Sequence, residues 1–321
     1  RSIGVTGLVN IIDFLGLRSS IDEIWTSSGG AFVGYLFGKG FNSEQLDKMA
    51  YESYHKNLSS VTFNVKNAFS MLLNRAKKGF TYDFGFGDIR AQLTIFLDKY
   101  KDEVSFASQI PTYMIATNPH KRTPQAFMLN NAENPFHYPF LSSASPLDSF
   151  HASCSIPYVI RPADIQGETY WDGGLSEETP IAAPTLKWLL DGKKTTSTPK
   201  KLKILMIQAS PRVSNETRNA KLFQIFPVKE VLELIDCYLD STSHVLQETI
   251  SQIPNVEVLK ITLGFDKPVF LKAKDYAYIL QKGKKNIVQQ LLKLSLELEQ
   301  KQHDTELHRK DNANHPLKNV S

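Results

Sequence analysis

Between Ile21 and Gly40 the chain changes its hydrophobic period at a pair of adjacent serines. Ile21-Asp-Glu-Ile-Trp-Thr26 is a short β-branched and aromatic run, and Ala31 to Phe37 repeats its apolar residues at helical spacing. Ser27-Ser28-Gly29-Gly30 is all that joins them. A strand that enters an apolar helix through so cramped a turn has to pack helix against sheet. The same alternation recurs along the chain. Strands are expected at Ile21–Thr26, Thr112–Thr117, Ile204–Ala209 and Val256–Ile261, with a shorter one at Thr169–Asp172. Helical spacing is clearest at Ala31–Phe37, Val231–Ile253 and Asn286–Leu298, and Gly283 reads as a helix break. The expected fold class is α/β, with layered helices over a mostly parallel sheet.

At 321 residues, 41% of them apolar, the chain can bury a substantial core. Residues 1–300 read as one catalytic-sized domain in which 43–104 form a mainly helical lobe, and 301–321 as a polar, mobile tail. The aromatic cluster of that lobe, Phe63 to Phe86, reads as core or as the lining of an apolar channel. No run approaches the ~18 to 20 consecutive apolar residues of a membrane-spanning helix, and the first residues lack the pattern of a secretory signal. We therefore expect a cytoplasmic or peripherally membrane-associated protein. Its start at Arg1, with 2–7 reading as a loop, suggests a trimmed chain in which a strand precedes. Two cysteines imply neither a disulfide framework nor a zinc cluster, and no calcium loop is present. A net charge of +4 without basic, aromatic-interleaved stretches argues against nucleic-acid binding.

The serine pair raises the question of a nucleophile elbow, a strained strand-to-helix turn whose neighbours must be small. Ser27 would put Trp25 at the crowded first position. Ser28 puts Thr26 there and Gly30 at the close approach, so Ser28 is the better nucleophile. The amides opening the following helix would favour a developing negative charge. A plain turn with a helix cap is the competing reading. Ser2-Ile-Gly-Val-Thr-Gly7 reads as a glycine-containing loop opening a helix over Leu8–Leu15, able to bind an anion. A dinucleotide loop is disfavoured, because no acidic residue closes a strand ~20 residues on. In Tyr170-Trp-Asp-Gly-Gly174, Asp172 closes a strand before a tight turn, as a catalytic or a purely turn-forming carboxylate.

Taken in order, these residues resemble the patatin-like phospholipases, Ser-Asp lipid acyl hydrolases. The resemblance runs through most of residues 2–292, and its most specific block is Ala152-Ser-Cys-Ser-Ile-Pro157 followed by Pro162, Gly167 and Tyr170–Gly174. It implies a three-layer α/β/α sandwich and ester hydrolysis by a dyad of Ser28 and Asp172 without a histidine. It also implies an oxyanion hole at Gly4, Val5, Thr6 and Gly7, with Thr26, Gly30, Gly173 and Gly174 supporting the two turns. No cofactor or metal is implied. The implied partner is a phospholipid or lysophospholipid substrate, with peripheral membrane contact. Acyl transfer or neutral-lipid hydrolysis on the same dyad stays open, as does a catalytically weak lipid-binding module. The last follows from Ser2 and Thr26 at glycine positions of the family's signatures, and from Thr6 where Arg or Lys is common. His151 reads as a packing residue rather than a third catalytic member, and Cys154 as a small buried residue.

Overall fold

The computed structural model describes residues 2–55, 85–87, 89–100, 109–194, 201–208, 241–263, 281–293 and 295–296. All of the aromatic cluster Phe63–Phe86 but Phe86, most of the 43–104 lobe and the tail over 301–321 lie outside the described residues.

The chain opens on helix α1 (Ser2–Phe14) and a 3-10 turn (Leu17–Ser20) before strand β1 (Ile24–Ser27). Helices α2 (Gly30–Gly38) and α3 (Ser43–His55) follow, then β2 (Gly85–Gly87) and α4 (Arg90–Lys99). Strands β3 (Thr112–Asn118), β4 (Thr123–Leu129) and β5 (Leu141–Ser143) lead to α5 (Pro146–Ser153). After β6 (Tyr158–Ile160), β7 (Ala163–Ile165) and β8 (Glu168–Asp172), a 3-10 turn at Gly173–Leu175 leads toward α6 (Ala182–Lys194). Strands β9 (Leu202–Gln208) and β10 (Val256–Thr262) pair in parallel with each other, and helical residues occupy 241–251 and 281–293.

The main sheet runs β5-β4-β3-β8-β7, with β1 also paired to β3. The α/β layering expected from the sequence holds, but the sheet is mixed rather than mostly parallel. β1–β3 and β4–β5 are parallel, whereas β3–β4, β3–β8 and β7–β8 are antiparallel. Residues alternate between faces along a strand, and both faces of β3 are buried. Met114 joins a core with Leu8, Ala31, Leu36 and Phe150, from α1, α2 and α5. Tyr113 and Ile115 join a second core with Ala183 of α6. Trp25 stacks on Tyr113 on that second face, with ring centroids 4.1 Å apart. Helices thus cover the sheet on both sides. Among the described residues, no helix is long and apolar enough to cross a membrane.

Two local expectations are corrected. Ser2–Gly7 is the first part of α1 rather than a loop. Leu8, Val9 and Ile12 are buried in the main core and Thr6 is buried beside them, so packing carries the helix through two glycines of low propensity. Gly283 does not break a helix; it is buried inside the helix over 281–293. That helix lies against α1, where Lys284 passes beside Gly7.

Candidate active site

Strand register assembles the site. β1 pairs with β3 as far as Ser27 opposite Ile115, and the chain bends away from the strand at Ser28, the next residue. Asp172 of β8 pairs with Ala116 on that same edge of β3, because β4 takes up the whole of the other edge from Thr112 to Asn118. β1 and β8 thus meet end to end along one edge of β3, which brings together two residues 144 apart in sequence. Their side chains meet where the two strands do. The Ser28 hydroxyl donates to Asp172 Oδ2 at 2.8 Å.

Ser28 is half-buried and sits at φ 52, the left-handed region that a side chain ordinarily avoids. The bend that expels it from β1 is made possible by small residues, but at a different place from the one the motif suggests. A β-carbon at Gly30 would meet nothing within 4 Å. At Gly34, one turn later, it would stand 2.1 Å from the γ-methyl of Thr26. The close approach of α2 to β1 is thus made at Gly34 over Thr26, whose hydroxyl donates to the Tyr113 carbonyl at 3.3 Å.

Asp172 is only 5% exposed. Its Oδ2 accepts from Ser28, and its Oδ1 accepts the Gly174 N–H at 2.8 Å. Its own carbonyl accepts the Thr117 hydroxyl at 2.8 Å, fixing the end of β8 to β3. Burial pushes the carboxyl up to about 6, against the pull of the Ser28 and Gly174 hydrogen bonds. A carboxylate so placed is ionised near neutrality yet basic enough to take a proton. The turn after it needs glycine at 173: a β-carbon there would lie 2.1 Å from the Ile115 carbonyl oxygen. The Ser27 hydroxyl is buried beside this turn and, among the described residues, has no hydrogen-bond partner.

The other expected residues are distributed unevenly. Within a helix starting at Ser2, the amides of Thr6 and Gly7 are directed at carbonyls one turn back and do not form an anion loop. Gly4 and Val5 lie in the first turn, where amides lack intrahelical acceptors. The turn at Ser28 brings amides of the same kind: Gly29 caps α2 and Gly30 opens it. His151 is buried and its Nε2 lies 2.9 Å from the Arg161 carbonyl, to which it donates. The Ser28–Asp172 contact is direct, with no imidazole between.

Sequence reasoning gave no role to Ser153 or Glu177. The Ser153 hydroxyl accepts the Ser28 N–H at 3.0 Å. The carboxylate of Glu177 accepts the amides of Ile181, Ala182 and Ala183 at the start of α6, and burial pushes it up to about 7. Neighbouring Glu178 accepts from Gln208 of β9 at 3.0 Å. Only the Ala152–Pro157 block hinted that this part of the chain matters. Among the described residues, no cluster of His, Cys, Asp and Glu could hold a metal ion.

No curated protein matches the chain. Among solved structures, that of VipD from Legionella pneumophila aligns with a TM-score of 0.41 at 12% identity, over 90% of this chain and 64% of that one. The chain thus spans less than two thirds of VipD's length. The sequence model described as patatin-like phospholipase matches residues 8–185, more than half of the chain, and includes both Ser28 and Asp172. On that match the chain belongs to the patatin-like phospholipases, a family of lipid acyl hydrolases.

Proposed function

We propose that the protein releases fatty acid from phospholipid or lysophospholipid, with Ser28 as nucleophile and Asp172 as base. The observation that carries this reading is the 2.8 Å hydrogen bond from the Ser28 hydroxyl to Asp172. Ser28 Oγ attacks the ester carbonyl carbon while its proton passes to Asp172 Oδ2. The carbonyl oxygen becomes an oxyanion, held by the amides of Gly29 and Gly30 at the N-terminus of α2, where the helix dipole adds to the field. Collapse breaks the ester bond. The alcohol leaves with the proton that Asp172 returns, and the acyl group stays on Ser28. A water then gives its proton to Asp172 and attacks the acyl carbon, and the fatty acid departs as Ser28 recovers its hydrogen.

The expected hole at Gly4, Val5, Thr6 and Gly7 does not share this support, since Thr6 and Gly7 lie inside a helix. Gly4 and Val5, in its first turn, could contribute amides only alongside those of α2. The half-buried Ser28 is reachable by substrate. Ile156, whose neighbour Ser155 accepts the Asp172 N–H, is 40% exposed and offers an apolar contact for an acyl chain at a peripheral membrane face.

The test is a panel of phospholipids, lysophospholipids and neutral lipids, assayed with wild type and with Ser28→Ala. Fatty-acid release from the first two classes that vanishes in the variant supports the reading. Equal release by both proteins sinks it, and release from neutral lipids alone moves the substrate class.

A further inference from the structure

A residue at φ 52 is stable only if its surroundings hold both of its peptide groups, because the strain is on the order of 1 to 2 kcal/mol. At Ser28 one short segment reaches both, beside the Ala31 amide of α2, which donates to the Ser28 carbonyl at 3.0 Å. The Ser28 N–H is taken by the Ser153 hydroxyl at 3.0 Å. The Ser28 carbonyl accepts from the Cys154 thiol at 3.3 Å. The following residue reaches the other half of the dyad: the Ser155 carbonyl accepts the Asp172 N–H at 2.8 Å.

We infer that Ser153, Cys154 and Ser155 form a bracket that sets the nucleophile and its base at their working separation, with Ser153 and Cys154 as positioning residues. This rests on the Ser28–Asp172 reading above. The bracket is itself anchored. Ser153 and Ser155 are fully buried, and the Ser155 hydroxyl lies 2.6 Å from the His151 carbonyl and 3.1 Å from that of Arg161. Cys154 is buried too, and burial pushes its thiol well above its ordinary range, so it carries its hydrogen at neutral pH and remains a donor. The tripeptide stands where α5 ends. α5 packs on β3, the strand that also sets Ser28 against Asp172, so backbone register and bracket fix the same distance.

The experiment compares the rate of Ser28 labelling by a fluorophosphonate, together with kcat and KM on a lysophospholipid, in Ser153→Ala, Cys154→Ala, Cys154→Ser and Ser28→Ala. Circular dichroism and melting temperature report folding. Loss of the Ser153 acceptor should slow labelling and lower kcat on the order of 10- to 100-fold, with KM within about twofold, because a misplaced nucleophile loses rate rather than binding. Cys154→Ala should slow labelling about threefold or more and Cys154→Ser should restore it, since the hydroxyl keeps the donor. A folded Ser153→Ala protein that labels at the wild-type rate, beside an unlabelled Ser28→Ala protein, overturns the bracket and leaves the dyad standing. Labelling that persists in Ser28→Ala overturns the dyad, and the bracket with it. If Ser153→Ala does not fold, the Cys154 pair decides: equal rates in its two variants overturn the bracket.

Discussion

Gly34 of α2 lies directly over Thr26 of β1, so close that a β-carbon would stand 2.1 Å from the threonine methyl. Real side chains cannot share that space, and the helix would have to lift away from the strand that presents Ser28. Gly34→Ala should therefore destabilise the fold by about 1 to 3 kcal/mol, read as a lower midpoint in urea. Thr26→Ser removes the opposing methyl, and adding it to Gly34→Ala should recover part of the loss. A double variant no more stable than Gly34→Ala would place the contact elsewhere.

Asp172→Asn keeps the size of the side chain and an oxygen for the Gly174 amide, but it cannot accept the Ser28 proton. Ester cleavage should fall on the order of 10³-fold, while the melting temperature stays at or above that of wild type, because a buried charge has gone. Activity within a few-fold of wild type would assign the base to another group.

The acid limb of kcat/KM should report Asp172. With its carboxyl pushed up to about 6, activity should decline as pH falls through that value, along a curve for a single proton. A limb near the ordinary carboxylate value of 3.8 would mean the group is better solvated than its surroundings indicate.

Glu177 makes a separate prediction about stability. Folding raises it from 4.5 to about 7, so between those values the folded chain holds a proton that the unfolded chain has released. Stability should fall as pH rises through that window and level off above it, by on the order of 3 kcal/mol. Asp172, raised to about 6, adds a change of the same sign. Glu177→Gln keeps an oxygen for the α6 amides without the charge, and its melting temperature should vary less with pH and exceed that of wild type near pH 8. An unchanged pH profile in the variant would contradict this.

The two residues joined by the 2.8 Å hydrogen bond, Ser28 and Asp172, were legible in the sequence as candidates because each is announced locally, by two serines and two glycines at a change of period and by Asp-Gly-Gly after a strand. What joins them was not. The register that ends β1 at Ile115 and β8 at Ala116 along one edge of β3, so that Ser28 and Asp172 meet, belongs to β3 and its neighbours, and no local pattern encodes it. β4 escaped notice because Pro124 interrupts its run, and with it went the antiparallel half of the sheet. The glycines at 4 and 7 suggested a loop, yet the burial of Leu8, Val9 and Ile12 makes the segment helical. Gly30 fitted the elbow pattern while the steric demand falls on Gly34, since helix–strand contact is set one turn into the helix. Ser153 acts through a hydrogen bond to a backbone amide 125 residues away, which leaves no trace in periodicity.

The central claim is that Ser28, and no neighbouring hydroxyl, forms the covalent bond to the acyl group. Fluorophosphonate treatment followed by tandem mass spectrometry of the peptides tests it most directly. The account predicts a single adduct on Ser28, lost in Ser28→Ala and strongly slowed in Asp172→Asn. An adduct on Ser27, Ser155 or Ser176, or lipid cleavage that continues with Ser28 unmodified, would contradict it.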